Sequence, residues 1–353
     1  MEIFEHAILI NHFLLVIESL LLTKFSIGKK KNLFFIISFI QLYFFLSFRG
    51  ASVGTDTHIY IIFFNEIRAG GHPGIELGNY FLFKMIGMIS DNPYIVIYLY
   101  AATTLVIVFY CLHSMSDDFE FSIILFEADM FYLLMFNIMR QGLALSITLL
   151  SAKRMIERKW LQSIVLIIIA TLFHSSSIFF LIIWILSKLQ IKYTPKKFYA
   201  TLLLSVVAIV LGEKITLSIM HSFSLYLNYL NTSYLRQGNW LHPLMFLLMF
   251  IFCAYYFFMS NDDSESINTL MWMMAIGLIL YFASISVRQV LRLVYFYSIS
   301  VTVLLPKCIN DFQSFTIKKQ WRLLVIILVS IYLIIIINRN GQGGMNSYKF
   351  NWQ

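Results

Sequence analysis

The longest apolar runs of this chain have no polar face. Stretches such as "LLVIILVSIYLIIII" (residues 323–337) and "LVIVFYCL" (105–112) are apolar all around a helix axis, whereas the strands of a membrane barrel alternate apolar and polar residues. Apolar residues make up 59% of the 353 residues and charged residues only 12%, too few to build a water-facing surface. The sequence therefore predicts an all-α, polytopic transmembrane helical bundle that forms a single integral membrane domain over residues 1–353.

Apolar runs that could form helices recur along the whole chain. About twelve spans are predicted, at residues 6–23, 32–48, 92–113, 121–138, 140–153, 160–173, 175–187, 198–212, 240–259, 267–286, 289–306 and 322–338. Several are shorter than the ~20 residues that an upright span needs, so 121–138 with 140–153, and 160–173 with 175–187, are candidates for tilted or re-entrant pairs. Residues 49–91 are predicted to be an external loop with an interfacial helix at 78–89.

Lysine and arginine are distributed differently between the predicted loops. Most lysines fall in alternate loops around residues 24–31, 153–159, 188–197 and 307–319, which the positive-inside rule assigns to the cytoplasm. These loops also account for the formal charge of +8, so no nucleic-acid partner is expected. The opposite, external face carries Arg49, Arg68, Arg140, Arg236, Arg288 and Arg292. Because arginine offers a planar fork of donors to carboxylate and phosphate oxygens, this pattern predicts an external anion-binding cavity.

The stretch "FRGASVGTDTHIY" (48–60) places unusual polar residues next to an apolar run. Gly50 and Gly54 permit tight turns, and Asp56 could simply cap the helix that follows. The alternative is that Asp56, a carboxylate just outside a span and close to Arg49, is a general base for a sugar hydroxyl. Glu76, in the same external loop, is a second candidate carboxylate.

Two further polar clusters interrupt apolar runs at the external face. In "NIMRQGLA", Asn137, Arg140 and Gln141 fall within one helical turn. Arg140 could be an interface anchor, but the neighbouring amides would not help an anchor, which favours a binding role. In "LFHSSSIF", His174 falls at another external turn, where a hydrogen-bonded interfacial histidine is an equal alternative.

The stretch "VRQVLRLVYFY" (287–297) spaces Arg288 and Arg292 four residues apart, with Tyr295 following. On one helix face, two like charges repel unless an anion lies between them, and a diphosphate would serve. Glu18, Glu127 and Asp129 fall inside predicted spans, where they are candidate partners for arginines or members of a proton path. The sequence contains no zinc-binding, Walker or nucleophile-elbow motif.

In combination, these motifs resemble the EpsG-like family of Wzy-type polysaccharide polymerases, over about two-thirds of the chain. The shared patterns are R-x4-G-T-D-x3-Y, a downstream acidic residue with an aromatic, N-x2-R-Q-x2-A, F-H-x-S and a late R-x2-Y. They fall here on Arg49, Gly54, Thr55, Asp56, Tyr60, Glu76, Tyr80, Asn137, Arg140, Gln141, Ala144, Phe173, His174, Ser176, Arg292 and Tyr295.

What the resemblance implies is an enzyme of the bacterial cytoplasmic (inner) membrane, similar in architecture to lipid-dependent glycosyltransferases of the GT-C class, with its active site facing the exterior. It would transfer a growing glycan from undecaprenyl diphosphate to a sugar hydroxyl of a second lipid-linked repeat unit and release the lipid diphosphate. The expected partners are the donor and acceptor lipid-linked oligosaccharides, with a chain-length regulator and a flippase as further candidates. No cofactor is expected.

The residue chemistry and the resemblance agree on a division of roles. Displacement at the anomeric carbon needs a base for the acceptor proton and positive charge on the leaving diphosphate. We expect Asp56 to be the base, with His174 or Glu76 as substitutes. The diphosphate would be held, without a metal ion, by Arg49, Arg140, Arg288 and Arg292. Substrate-binding roles are expected for Asn137, Gln141, Tyr60, Tyr295 and Arg236.

Other functions share part of this pattern. A flippase or transporter of lipid-linked glycan would also use arginines for phosphate, but along a path open to both membrane faces. A glycan ligase of the O-antigen-ligase type would share the chemistry and differ in its acceptor. A membrane O-acyltransferase would need its histidine on the cytoplasmic side, opposite to the predicted position of His174.

Overall fold

The computed structural model describes residues 6–24, 31–222, 238–260, 264–340 and 348–352. Within these ranges the regular structure is helical, and the only β-type pairing is an isolated antiparallel bridge between Arg49 and Phe350. The prediction of an all-α protein is therefore confirmed. Arg236, one of the predicted substrate-binding residues, lies outside the described residues.

The helices of the described residues are numbered α1 to α16 in chain order, and two 3-10 turns of the described chain, Ser175–Phe180 and Arg288–Val290, lie between them. Their bounds are α1 (Ala7–Lys24), α2 (Lys31–Ser47), α3 (Thr57–Arg68), α4 (Leu77–Gly87), α5 (Tyr94–Met115), α6 (Phe119–Ala128), α7 (Phe131–Asn137), α8 (Met139–Ile156), α9 (Trp160–Phe173), α10 (Leu181–Lys188), α11 (Pro195–Ser222), α12 (Leu241–Ser260), α13 (Glu265–Ser286), α14 (Leu291–Ser298), α15 (Val301–Asn310) and α16 (Phe315–Asn340).

Five of the described helices, α5, α11, α12, α13 and α16, are long and apolar enough to cross a membrane. The number rises to 6 if residues 288–310, which bend by 48° between α14 and α15, form one broken span. The chain is therefore a multi-pass membrane protein, whereas the predicted number of about twelve spans is not confirmed. Several predicted runs form shorter apolar helices, such as α9 with 14 residues, and 121–138 is divided into α6 and α7 at Met130, whose φ is 74°.

The helices differ in how far they are covered by protein. Within an apolar stretch of 18 residues in each helix, 72% is buried in α13, compared with 17% in α11 and 33% in α16. The helices α6, α7 and α8 are likewise buried on almost every side. The outer helices expose aliphatic side chains such as Leu203 and Val210, which a bilayer would cover. The most enclosed helices are thus those that lead to the polar clusters predicted from the sequence.

Contacts between loops gather at two opposite ends of the bundle. One end joins Thr55 to Asn137, Asn79 to Phe173 and Gln141 to Arg292. The other end joins Asn310 to Asp117, Arg158 to Glu265 and Asn268 to Ile191. Among the described residues, the predicted external residues of the clusters at 48–56, 137–141 and 292 therefore share one end, and the lysine-rich loops around 153–159, 188–197 and 307–319 share the other.

A buried polar network ties the first helix to the middle and the end of the chain. His12 Nδ1 lies 2.5 Å from Glu127 Oε2, and His12 Nε2 lies 2.7 Å from Ser330 Oγ. Asn11 Nδ2 donates to the other oxygen of Glu127 at 3.5 Å. Glu127 therefore pairs with a histidine in the bundle, and among the described residues no ion pair joins it to an arginine, one of its two candidate roles.

Candidate active site

Five segments contribute polar side chains to one end of the bundle. They are the loop 48–56, the start of α4 at Glu76, the junction of α7 and α8 at residues 137–141, the turn after α9 at His174, and the start of α14 at Arg292. Each segment ends or begins a helix, where backbone groups and side chains leave the apolar interior. The predicted site residues in these five segments therefore lie near one another because the helix ends meet.

The loop before α3 is fixed against the end of α7 by a close backbone approach. Gly54 has φ +85°, and a Cβ built there would lie 2.0 Å from the carbonyl oxygen of Phe136. The next amide, that of Thr55, donates to Asn137 Oδ1 at 3.0 Å. Glycine is needed at this position both for the left-handed backbone and for the contact. The consequence is that Asp56 is held beside the junction of α7 and α8.

Asp56 occupies the first position before α3, but its side chain makes no capping hydrogen bond to that helix. Its carboxyl group is partly buried and lies in the electrostatic field of Arg292 and Arg140. Burial, the largest influence, raises the pKa of Asp56 above its ordinary value, and the two arginines offset it only in part. A carboxylate with a raised pKa is a stronger base, as proton abstraction from an alcohol requires.

Glu76 is bound by three side chains from different parts of the chain. Arg140 Nη1 and Asn79 Nδ2 both donate to its Oε2, the second at 2.9 Å, and His174 Nδ1 lies 3.4 Å from its Oε1. Burial alone would raise the pKa of Glu76, but His174 and Arg140 outweigh it and lower the pKa to about 2. Glu76 is thus a persistent anion that orients Arg140, and it is a weak base.

Asn79 and Tyr100 belong to the same network, although the sequence patterns did not point to them. Asn79 has no exposed surface; it donates to the carbonyl of Phe173 at 2.8 Å and accepts from the hydroxyl of Tyr100 at 2.5 Å. Asn79 therefore connects α4 to α5 and to the end of α9. Its position three residues after Glu76, on the same face of a short helix, is the signal that could have identified it.

His174 closes the network on the side of α14. Its ring is 7% exposed and stacks on Phe296 with centroids 6.3 Å apart. Its Nδ1 has the 3.4 Å contact with Glu76 Oε1, and its Nε2 has no hydrogen-bond partner among the described residues. Burial, assisted by the charges of Arg140 and Arg292, lowers the pKa of His174 despite the attraction of Glu76, so the imidazole is neutral at pH 7 and able to accept a proton.

The two late arginines occupy different environments. Gln141 Nε2 donates to the backbone carbonyl of Arg292 at 2.5 Å, which fixes the start of α14 beside α8. Arg292 lies within electrostatic range of Asp56, whereas Arg288 is exposed and lies near His242. The expectation that one regular helix carries both arginines on one face is wrong, because α13 ends at Ser286 and a 3-10 turn precedes α14.

Three other predicted site residues are buried or half-buried in the fold. Arg49 is 1% exposed; it donates through Nε to Thr57 Oγ1 at 3.0 Å and through Nη1 to the carbonyl of Leu46. This placement gives Arg49 a role in holding the loop before α3, and does not support direct contact with a diphosphate. Tyr60 is 2% exposed, with its ring centroid 5.9 Å from the Arg140 guanidinium carbon, and Tyr295 packs edge-on against Phe131.

The sequence profile of the EpsG family matches residues 32–350. The chain belongs to the EpsG family. The matched region extends from α2 to the residues after α16 and includes every residue of the candidate site, in accord with the resemblance drawn from the motifs. Searches of the curated proteins and of the solved structures returned no match for this EpsG-family protein.

The candidate site brings two groups that can accept a proton near two arginines. Asp56 and the neutral His174 can each take a proton, while Arg140 and Arg292 provide positive charge beside both. The described residues contain no group of three or more metal-ligating side chains. Such an arrangement suits acid–base chemistry next to an anionic group.

Proposed function

We propose that this EpsG-family protein is a glycosyltransferase-type polymerase. It joins undecaprenyl-diphosphate-linked oligosaccharide repeat units into a surface polysaccharide at the external face of the cytoplasmic membrane. The observation that carries the proposal is that Asp56 lies in the electrostatic field of Arg140 and Arg292, from distant segments, at the end of the bundle opposite the described lysine-rich loops around 153–159, 188–197 and 307–319. Family membership supports a polysaccharide polymerase over other anion-binding membrane proteins.

In the proposed reaction, a hydroxyl of the acceptor sugar attacks the anomeric carbon of the donor glycan. The new bond joins that carbon to the acceptor oxygen, and the bond from the carbon to the diphosphate oxygen breaks. Asp56 takes the hydroxyl proton, which its raised pKa favours. His174 is the alternative base, because it is neutral and its Nε2 has no hydrogen-bond partner among the described residues.

The leaving lipid diphosphate is held by Arg292 and Arg140 in this proposal. Glu76 keeps the Arg140 fork in one orientation, since it binds Nη1 and is itself fixed by Asn79. Preorganised guanidinium groups stabilise charge as it develops on the leaving oxygen. Arg288, exposed and one turn earlier in the chain, would contact the outer part of the headgroup. No metal ion is proposed, so activity should persist in EDTA.

Substrate binding is assigned to residues around this centre. Asn137 and Gln141 hold the loop of Asp56 and the start of α14 in place, while Tyr60 lies beneath Arg140. Tyr295 is proposed to contact the glycan, and the same role is proposed for Arg236, which lies outside the described residues. The GT-C-like architecture is part of the proposal, as are about twelve spans completed by short helices such as α9, and an association with a flippase and a chain-length regulator.

A flippase or a ligase would use similar chemistry, and one experiment separates the three. The purified full-length protein is reconstituted in liposomes with lipid-linked repeat units, and the products are separated by length and identified by mass spectrometry. We expect a ladder of longer lipid-linked glycans and release of undecaprenyl diphosphate. Movement of the substrate across the bilayer without a ladder would indicate a transporter. Transfer only to a different added acceptor would indicate a ligase.

A further inference from the structure

A second polar cavity lies at the opposite end of the bundle, where α8, α10, α12 and α13 end or begin. Its volume is about 140 Å³, which has room for several water molecules. The lining residues are Arg158, Gln190, Lys192, Tyr193, Phe257, Glu265 and Asn268. None of them contributes to the candidate active site, and the proposed polymerase chemistry does not require them.

The walls of this cavity are fixed by side chains of α13. Asn268 accepts from the amide of Tyr193 at 2.6 Å and donates to the carbonyl of Ile191 at 3.1 Å. Trp272 Nε1 donates to the same carbonyl at 2.6 Å. The segment after α10 is therefore held against α13, and the cavity is formed before any ligand enters.

Two cavity residues have a backbone conformation that normally selects glycine. Arg158 has φ 57° and Gln190 has φ 51°, and each follows the end of a helix, α8 and α10 respectively. Glycine is the usual residue at such left-handed helix ends because any Cβ is strained there. Both positions instead carry long polar side chains that line the same cavity. This indicates that the two side chains have a function at the cavity that offsets the backbone strain.

The cavity offers groups of both charges. Arg158 and Lys192 provide cationic donors. Glu265 binds Arg158 Nε through Oε2 at 2.6 Å, while its Oε1 is buried and accepts no hydrogen bond from the described part of the chain. A buried carboxylate oxygen without a donor is costly. A ligand that carries both a phosphate and an ammonium group would place its phosphate beside the two cations and donate from its ammonium to this oxygen.

The residues around the cavity are of the kinds that occur at the level of lipid headgroups. Tyr193 and Phe257 form part of its lining, and Lys197 lies over the Trp272 ring with its Nζ 5.2 Å from the centroid. Aromatic rings beside lysines are typical of the membrane interface. We propose that the cavity binds the phosphoethanolamine headgroup of a phospholipid from the adjacent leaflet, with its phosphate on Arg158 and Lys192 and its ammonium on Glu265.

The test is native mass spectrometry of the purified full-length protein with added phosphatidylethanolamine or phosphatidylglycerol. The wild type should retain the ethanolamine lipid preferentially, and the double variant Arg158→Gln with Lys192→Gln should retain about tenfold less, as expected when charge-assisted hydrogen bonds are lost. Lys159→Gln with Lys196→Gln removes the same charge from exposed lysines outside the cavity lining and should change retention little. Equal losses in both double variants would overturn the proposal, because they would indicate attraction to the basic surface alone.

Two further measurements test the ammonium contact and the source of the headgroup. Glu265→Gln should remove the preference for ethanolamine over glycerol headgroups while phosphate-dependent retention persists; an unchanged preference would refute the contact with Glu265. Soluble glycerophosphoethanolamine should fail to displace the lipid when equimolar. Displacement at that ratio would contradict a lipid ligand and point to a soluble phosphate compound.

Discussion

Glu76 and Arg140 are separated by 64 positions in the sequence, yet their side chains form an ion pair in which each is roughly one-fifth exposed. The pair joins the start of α4 to the first turn of α8. Because Asn79 and His174 also contact Glu76, the guanidinium of Arg140 has one orientation, directed by an anchored carboxylate. The orientation of Arg140 is the feature on which the first prediction depends.

Replacing Arg140 by lysine should reduce polymer formation at least about tenfold, since an ammonium group cannot reproduce the planar fork that meets Glu76 and a phosphate together. The measurement is the product ladder from reconstituted protein at matched abundance. Arg68→Lys is the matched control, because Arg68 pairs with an Asp91 side chain that is 87% exposed, and exposed pairs contribute little. Full polymer length from the Arg140→Lys variant would contradict the assigned role.

Glu76 should make the stability of the protein depend on acid pH. Its pKa is lowered from 4.5 to about 2 in the folded state, so the folded state binds fewer protons than the unfolded state. The stabilisation is present above about pH 4.5 and is lost as the pH falls toward 2. Glu76→Gln should therefore lower the free energy of unfolding by on the order of 2 kcal/mol at pH 7 and flatten the acid limb. Thermal unfolding in detergent between about pH 3 and pH 7 measures both, and an unchanged acid limb would contradict the pairing.

Asp56→Asn should abolish most polymerase activity, by about a hundredfold or more for a general base. Because the pKa of Asp56 is raised in the fold, wild-type activity should fall as the pH drops through that pKa and the carboxylate becomes protonated. The same shift means that ionised Asp56 opposes folding above its pKa. Asp56→Asn should therefore unfold at a higher temperature than the wild type at neutral pH. An active variant, or one of lower stability, would contradict the assignment.

Gly54→Ala should destabilise the protein and lower activity, because its backbone is left-handed and a Cβ would lie 2.0 Å from the Phe136 carbonyl oxygen. We expect a loss of more than ~2 kcal/mol, since strain and a backbone clash combine. Gly70→Ala is the control: φ is +87° there as well, but no atom lies within 4 Å of the added carbon. That variant should lose about 1 kcal/mol, from strain alone. Equal losses measured by thermal unfolding would show that the contact with Phe136 has no effect.

The sequence predicted with uneven success which residues would meet, and the reasons are physical. Arg140 and His174 were identified because they interrupt apolar runs, where a polar group is costly, and Asp56 and Glu76 because they are carboxylates in the external loop next to a span. Asn79 was missed, because its value lies in three hydrogen bonds, two of them to partners far along the chain. The sequence around a single side chain does not show which distant residues it will contact.

Composition and apolar runs alone determined that this is an all-helical, multi-pass membrane protein, because hydrophobic transfer acts locally on each segment. The tertiary structure decided which arginines can contact an anionic ligand. Arg49 and Arg140 share an end of the bundle, yet Arg49 is 1% exposed and bound to backbone and Thr57, while Arg140 is directed by Glu76. Burial and pairing depend on which helix ends meet, and that depends on packing between segments far apart in the chain.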